Sequence, residues 1–373
     1  MTANTIMMCF KVAPSYVSGP EFQSRLKKAG ELALGELSSE PRQLEVAKDK
    51  LFIFTGTSGS HAVLRTYMTG LVTFDVQHFG EGEEYEWNNG KYDMEAIKKL
   101  KKNIEDLFGS AVENANSLFA PIRRGGQVWT YGITADERLM EPDYDKVSFE
   151  TNSPWQNIKI MHSRELGNVL LLDDDIMLGE SDLIYTQTLL GLGNPKRENY
   201  EGKEVLILGG GDGGILHELL KENPKFVTMA EIDEEVIKAC RVHMRSVCGD
   251  SMDKFEGNNY KIIIEDCIKV MKEDLEQGKK YDFVINDLTE FPVDKENYGF
   301  AYDFKTTHLV MELALQLLKP QGKVLARGNS KSAVDYYPLV DEDIIKLGGQ
   351  FKRRDAYVPS FRETYCLYEI WKV

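Results

Sequence analysis

The side chains best placed to do chemistry are acids, each at the end of a short apolar run. The run Val205–Leu208 leads into Gly209-Gly-Gly-Asp-Gly-Gly214, which sets Asp212 inside a Gly-x-Gly-x-x-Gly turn ahead of the helical pattern Ile215–Leu220. The run Phe226–Ala230 ends in Glu231, Lys261–Ile264 in Glu265 and Asp266, and Asp282–Asn286 in Asp287, followed by Leu288 and Thr289. A Gly-rich strand–turn–helix is by itself a weak sign of a nucleotide or nucleoside ligand. Asp212 sharpens it. A turn built for phosphate presents bare N–H groups and a helix N-terminus, where a carboxylate repels the anion. Asp212 therefore points to a ligand that is cationic at that place, with neither phosphate nor carboxylate there. Glu231 follows Gly214 by 17 residues, close to where a ribose-binding acid belongs. Any one of these acids could serve only as a cap or turn residue; four strand ends in succession favour a shared ligand site.

The elements that must position these acids alternate from residue 181 onward. Strands are expected at Val205–Leu208, Phe226–Glu231, Tyr260–Ile264, Phe283–Asn286 and Lys323–Ala326, with helices over Glu234–Val247 and Thr306–Leu318. Two late runs, Phe351–Val358 and Tyr365–Trp371, read as a closing antiparallel hairpin. Such alternation implies a mostly parallel sheet with helices on both faces, whose ligands bind beyond the carboxyl ends of the strands. Between 123 and 180, the runs Val128–Tyr131, Lys146–Glu150, Gln156–Met161 and Gly167–Leu172 are spaced like an antiparallel meander. Asp173-Asp-Asp175 lies between two apolar runs and reads as a hairpin turn rather than a metal site. Residues 1–122 mix a helix at Leu26–Leu37, a strand at Leu51–Phe54, a strand–turn–strand at Ala62–Val76 and a helix at Asp93–Phe108. Lys98–Lys102 on that last helix is an ordinary solvated face, and Gly80–Glu86 an acidic loop. The expected architecture is an α+β N-terminal domain (1–122), a small β-strand domain (123–180) and a Rossmann-like, doubly wound α/β domain (181–373).

Composition narrows the partners. Formal charge is -15, from Asp+Glu 60 against Lys+Arg 45, which argues against a nucleic-acid footprint and suits cationic substrates. The five cysteines have no CxxC spacing and the six histidines no HExxH pattern, so neither a disulfide framework nor a metal site is expected. No apolar run approaches the ~20 residues that span a bilayer, and no charged-then-apolar signal opens the chain. A cytoplasmic protein with no membrane partner is the expectation.

Together these residues resemble the aminopropyltransferases, the spermidine and spermine synthase family. The resemblance is carried by Gly209–Gly214 with Glu218, Glu231-Ile-Asp233, Glu265-Asp-Cys267 and the Asp ending the fourth strand. Three stretches are similar to the spermine synthase branch: Ser153–Ile160, Glu180-Ser-Asp-Leu183 with Tyr185, and Ile285-Asn-Asp-Leu-Thr289, where spermidine synthases typically carry Asp-Ser-Ser-Asp-Pro. Leu64–Tyr67 and Gly70–Gln77 resemble the extra N-terminal domain of that branch. The likeness covers essentially the whole chain and is most specific between about residues 152 and 290.

The resemblance implies a co-substrate rather than a cofactor, decarboxylated S-adenosylmethionine, whose aminopropyl group passes to spermidine to give spermine and methylthioadenosine. It assigns Asp212 to the donor's ammonium, Glu231 to the ribose hydroxyls, Asp266 with the backbone at Cys267 to adenine, and Gln156 to the nucleoside. Asp287, with Tyr185, would bind the attacking amine and take its proton. Glu363 would meet a distal amine of spermidine beside Phe361, where the family usually has Tyr. The N-terminal domain would be an inactive relative of S-adenosylmethionine decarboxylase that forms a homodimer. Gly59-Ser60-His61 lacks the Glu that self-cleavage uses before Ser, and Val76–Phe79 lacks the expected Cys. The alternatives are a spermidine synthase using putrescine, a methyltransferase (against which Asp212 argues), and a non-catalytic nucleoside sensor.

Overall fold

The computed structural model describes residues 2–80, 93–115, 118–125, 131–192, 198–288 and 304–372. The acidic loop beyond Gly80, the Val128–Tyr131 run before Tyr131, and Thr289 lie outside the described residues. The chain divides into two compact units, residues 1–130 and 131–373.

In the first unit, period-two alternation along Thr2–Val12 turns Ile6, Met8, Phe10 and Val12 to one face. That strand lies within an antiparallel sheet ordered Arg42–Val46, Asp49–Thr55, His61–Thr66, Leu71–Gly80, Thr2–Val12, Val112–Ala115, with Ile122–Gly125 also pairing to Thr2–Val12. Two helices cover the apolar face, Pro20–Leu34 through Phe22 and Leu26, and Met94–Phe108 through Ile97, Ile104 and Phe108. The first helix begins earlier than Leu26 because Pro20, at its first position, is preset for helical φ. It ends at Leu34, where Gly35 takes φ +76, rather than at Leu37. Asp93 caps the second helix by accepting from the Ala96 N–H at 2.8 Å, and Lys98, Lys99 and Lys102 are exposed.

The second unit holds a four-stranded antiparallel meander, Tyr144–Asn152, Asn157–Ser163, Gly167–Leu172 and Asp175–Gly179. Asp173 and Asp174 both have positive φ (48° and 69°), which makes their segment a tight two-residue hairpin turn. Asp174 also pairs with Lys159 at 2.8 Å. The main sheet runs Tyr260–Ile264, Phe226–Glu231, Glu204–Gly209, Tyr281–Asp287, Leu318–Ser330, Glu363–Lys372, Gly349–Val358. Its first five strands are parallel and the last two antiparallel, which is the methyltransferase-like arrangement with a closing hairpin. Ile158, Ile160, Leu170 and Leu178 of the meander share one core with Val205, Ile207, Met229 and Ile285 of the sheet. The opposite face packs Leu206, Leu208 and Val284 against Val310, Ala314 and Ile344 from the helices Phe304–Gln316 and Tyr336–Lys346. The helix expected over Glu234–Val247 is in fact two, Glu234–His243 and Arg245–Cys248, because Met244 leaves helical geometry (φ -124, ψ 39). The five cysteines are free thiols. Among the described residues no helix is long and apolar enough to cross a membrane.

Candidate active site

Strand order reverses between Glu204–Gly209 and its neighbour Tyr281–Asp287, and a cavity opens at that switch point, where α/β sheets bind ligands. Asp212, Glu231, Asp266, Cys267 and Asp287 line it from successive strand ends, joined by Gln156 from the meander and Tyr185 from the helix Leu183–Leu189. Seven of the expected site residues therefore meet in one place.

The Gly-rich turn is shaped for close approach. A Cβ on Gly211 would lie 2.9 Å from the Glu231 Oε2, so only glycine lets that carboxylate reach the turn. Gly213, in the left-handed region at φ +78, starts the helix Gly214–Leu220. Asp212 Oδ1 accepts from the Gly214 N–H at 2.7 Å, which aims the rest of the carboxylate into the cavity. Glu231 is buried and accepts from the Asp233 N–H at 2.9 Å. Burial, reinforced by the charges of Asp233 and Asp212, holds its carboxyl up at about 7.

Asp287 and Tyr185 form a hydrogen-bonded pair in the cavity. The Tyr185 hydroxyl donates to Asp287 Oδ1 at 2.5 Å. Burial first, and then the charge of Asp212, raise the Asp287 carboxyl to about 7, against the pull of Tyr185 and Arg327. Burial likewise raises Asp212, and raises Tyr185 well above the ordinary phenol range, so it stays a donor. Two carboxylates sharing a water-poor space form a site that attracts cations and can hold one proton near neutral pH.

Other expected residues have additional or different duties. Asp266 Oδ1 caps the helix Cys267–Glu276 by accepting from the Ile268 N–H at 2.8 Å while still lining the cavity. Glu265 turns to Lys269 instead. Gln156 Nε2 donates to Asp233 Oδ2 at 3.0 Å. Phe361 is buried and meets Tyr185 edge-on at 6.4 Å, behind the cavity wall. Glu363 does not line the cavity: its Oε1 accepts from the hydroxyls of Ser330 and Ser332 at 2.6 and 2.7 Å, and its Oε2 from the Ala135 N–H at 3.2 Å. The two serines occupy one of its two carboxylate oxygens.

Three contributors were given no role in the sequence reading, although Asp233 and Asp182 stand in the motifs that carry the resemblance. Asp233, 1% exposed, binds Ser153 Oγ at 2.7 Å and so ties the meander to the sheet. Asp182, also 1% exposed, accepts from the Gly179 N–H at 2.7 Å, the Ser360 N–H at 3.0 Å and the Ser360 hydroxyl, locking the Tyr185 helix to the Phe361 loop. Arg327 lines the cavity from within the strand Leu318–Ser330, one residue past its parallel pairing with Tyr281–Asp287. The rule that flagged the acids, a charged residue just past an apolar run, would have found it after Val324–Ala326.

Comparison with known proteins gives the chain's family. Residues 182–372 match the spermine/spermidine synthase domain, and residues 128–180 the spermidine synthase tetramerisation domain. A polyamine aminopropyltransferase from Clostridium botulinum is 31% identical over 236 residues, 60% of this chain and 75% of that protein. One from Pyrobaculum calidifontis is 29% identical over 212 residues, 56% and 70% respectively. The spermidine synthase of Thermotoga maritima shares the fold, with a TM-score of 0.50 at 21% identity over 66% of this chain and 79% of that one.

Proposed function

Because the chain belongs to the spermine/spermidine synthase family, we propose that it transfers an aminopropyl group from decarboxylated S-adenosylmethionine to spermidine. The observation that carries this reading is the Tyr185–Asp287 pair at 2.5 Å in the cavity that Asp212 also lines. An aliphatic amine is protonated near neutral pH and has no lone pair to attack with. Asp287, held near 7 and hydrogen-bonded to Tyr185, is placed to bind that amine and take its proton. The nitrogen lone pair then forms the new N–C bond as the C–S bond breaks. The bonding pair returns to sulfur, the sulfonium becomes a neutral thioether, and methylthioadenosine leaves.

The donor's ammonium sits at Asp212, which by the same charge disfavours the carboxylate of ordinary S-adenosylmethionine. Glu231 accepts from the ribose hydroxyls, Asp266 and the Cys267 backbone hold adenine, and Gln156 closes over the nucleoside. Spermidine as acceptor rests on Ile285-Asn-Asp-Leu and Glu180–Leu183, the stretches similar to spermine synthases. One observation favours putrescine instead: with Ser330 and Ser332 on the Glu363 carboxylate, the far end of the site has lost the acid expected for a third amine. In the spermidine reading, that acid exchanges its serine partners for the distal ammonium. The first unit is read as an inactive, decarboxylase-like domain that forms a homodimer; Ser60 Oγ there lies 3.2 Å from His78 Nδ1 and 3.5 Å from Ser58 Oγ.

Mass spectrometry of products decides. The enzyme, given the decarboxylated donor with both amines, should make spermine from spermidine. Spermidine made from putrescine as main product would replace the acceptor assignment, and no polyamine product at all would overturn the reading.

A further inference from the structure

Arg327 is the only cation among the described residues that line the cavity. Ala326 pairs with Asn286 in the parallel ladder, so Arg327, within the strand Leu318–Ser330, and Asp287, at the end of its own, follow side by side on neighbouring strands. The guanidinium carbon lies 5.9 Å from the Phe361 ring centroid and 5.8 Å from that of Tyr365. Those two rings pack on each other at 4.6 Å, and Phe361 backs onto Tyr185. A planar cation resting against an aromatic shelf keeps a fixed position, which a flexible side chain in water would not. The other titratable groups facing Asp287 are Asp212 from the Gly-rich turn, Glu231 from the strand on the far side of Glu204–Gly209, and Tyr185 from the short helix. None of them supplies positive charge.

We propose that Arg327 is the counter-charge that keeps Asp287 ionised and therefore able to accept the amine's proton. The proposal rests on reading Asp287 as the general base. Two acids in one recessed cavity drive one of them to hold a proton, and a protonated Asp287 has no basicity to offer. The field of Arg327 opposes burial and the charge of Asp212. Arg327 acts through Asp287 and is a positioning and tuning residue, not a proton-transfer group.

An infrared titration of the full-length enzyme without substrate tests this, reading the protonated carboxyl band that disappears in Asp287→Asn. In Arg327→Gln the midpoint of that band should move up by about one pH unit or more. In Arg327→Lys, which keeps the charge, it should stay near that of the unsubstituted enzyme, with thermal melting confirming that each variant folds. An unmoved midpoint in folded Arg327→Gln overturns the proposal; if Gln does not fold, Arg327→Met serves in its place under the same criterion. The acid limb of kcat/KM for aminopropyl transfer should move with the band. A shifted band with an unshifted limb upholds Arg327 as the counter-charge and removes Asp287 from the role of base.

Discussion

The Tyr185 hydroxyl that donates to Asp287 at 2.5 Å finds a carbonyl oxygen in the same place in an Asp287→Asn variant. The cavity wall keeps its shape and loses its proton acceptor. General-base assistance is worth ~10²–10⁴-fold, or roughly 2.7–5.4 kcal/mol of barrier, so kcat should fall by that factor while donor affinity holds. Stability should move the other way. Asp287 sits at about 7 in the fold against ~3.9 in an unfolded chain. Between those values the folded state binds a proton that the unfolded chain does not, so stability declines as pH rises through the window. Above it, the buried charge costs a few kcal/mol, on the order of 1.36 kcal/mol per pH unit and shared with Asp212. Asn removes that charge. The variant should melt several degrees higher than the unsubstituted enzyme at about pH 8, and the two should converge near pH 4. The assays are product formation by mass spectrometry, calorimetric donor titration, and thermal melts across that range. Turnover near the original rate would refute the base, and an equal melting temperature at alkaline pH would refute the buried charge.

Asp212→Asn should weaken the decarboxylated donor by roughly one to two decades, from ~1.5–3 kcal/mol of charge-assisted contact. It should also relax rejection of ordinary S-adenosylmethionine, and calorimetry with both donors shows whether the preference changes. Glu363→Gln should raise KM for spermidine more than it alters donor affinity if the acid turns to the acceptor. An unchanged KM would leave it as a partner of Ser330 and Ser332 alone. Asp182→Ala strands the Gly179 and Ser360 N–H groups, at about 1–3 kcal/mol each, so a denaturant midpoint that does not move would show the latch to be idle. Removing residues 1–122 should give monomer in sedimentation, and a persisting dimer would place the interface outside those residues.

The gathering of Asp212, Glu231 and Asp266 at one cavity was legible because its signals are local. A glycine turn, an acid ending each strand and the spacing to Glu231 are all set within a few residues of one another, as is the Asp173-Asp174 turn. The parallel sheet followed from alternation of period, and its closing hairpin from two late β-type runs. What failed was set by distant partners. Asp182 meets Ser360 178 residues away, and Ser153 meets Asp233 80 residues away; no local pattern encodes either pairing. Glu363 was assigned by its neighbours in the chain, whereas its Oε1 accepts from Ser330 and Ser332 and its Oε2 from the Ala135 N–H, all distant in sequence. The break at Met244 was hidden because the apolar spacing runs through it without a proline or glycine to mark it.

The reversal of strand order has an evolutionary corollary. Asp212, Glu231 and Asp266 come from the strands on one side of it, whereas Asp287 and Arg327, with Phe361 behind them, come from the other. In the proposed reading, everything that holds the nucleoside lies to one hand and everything that meets the incoming amine to the other. Mutations can then accumulate on the amine's side, changing how long or how charged a molecule is taken, while the sulfonium half stays fixed. The join between the Glu204–Gly209 and Tyr281–Asp287 strands is thus a seam along which a lineage can exchange one nucleophile for another without rebuilding the leaving-group machinery.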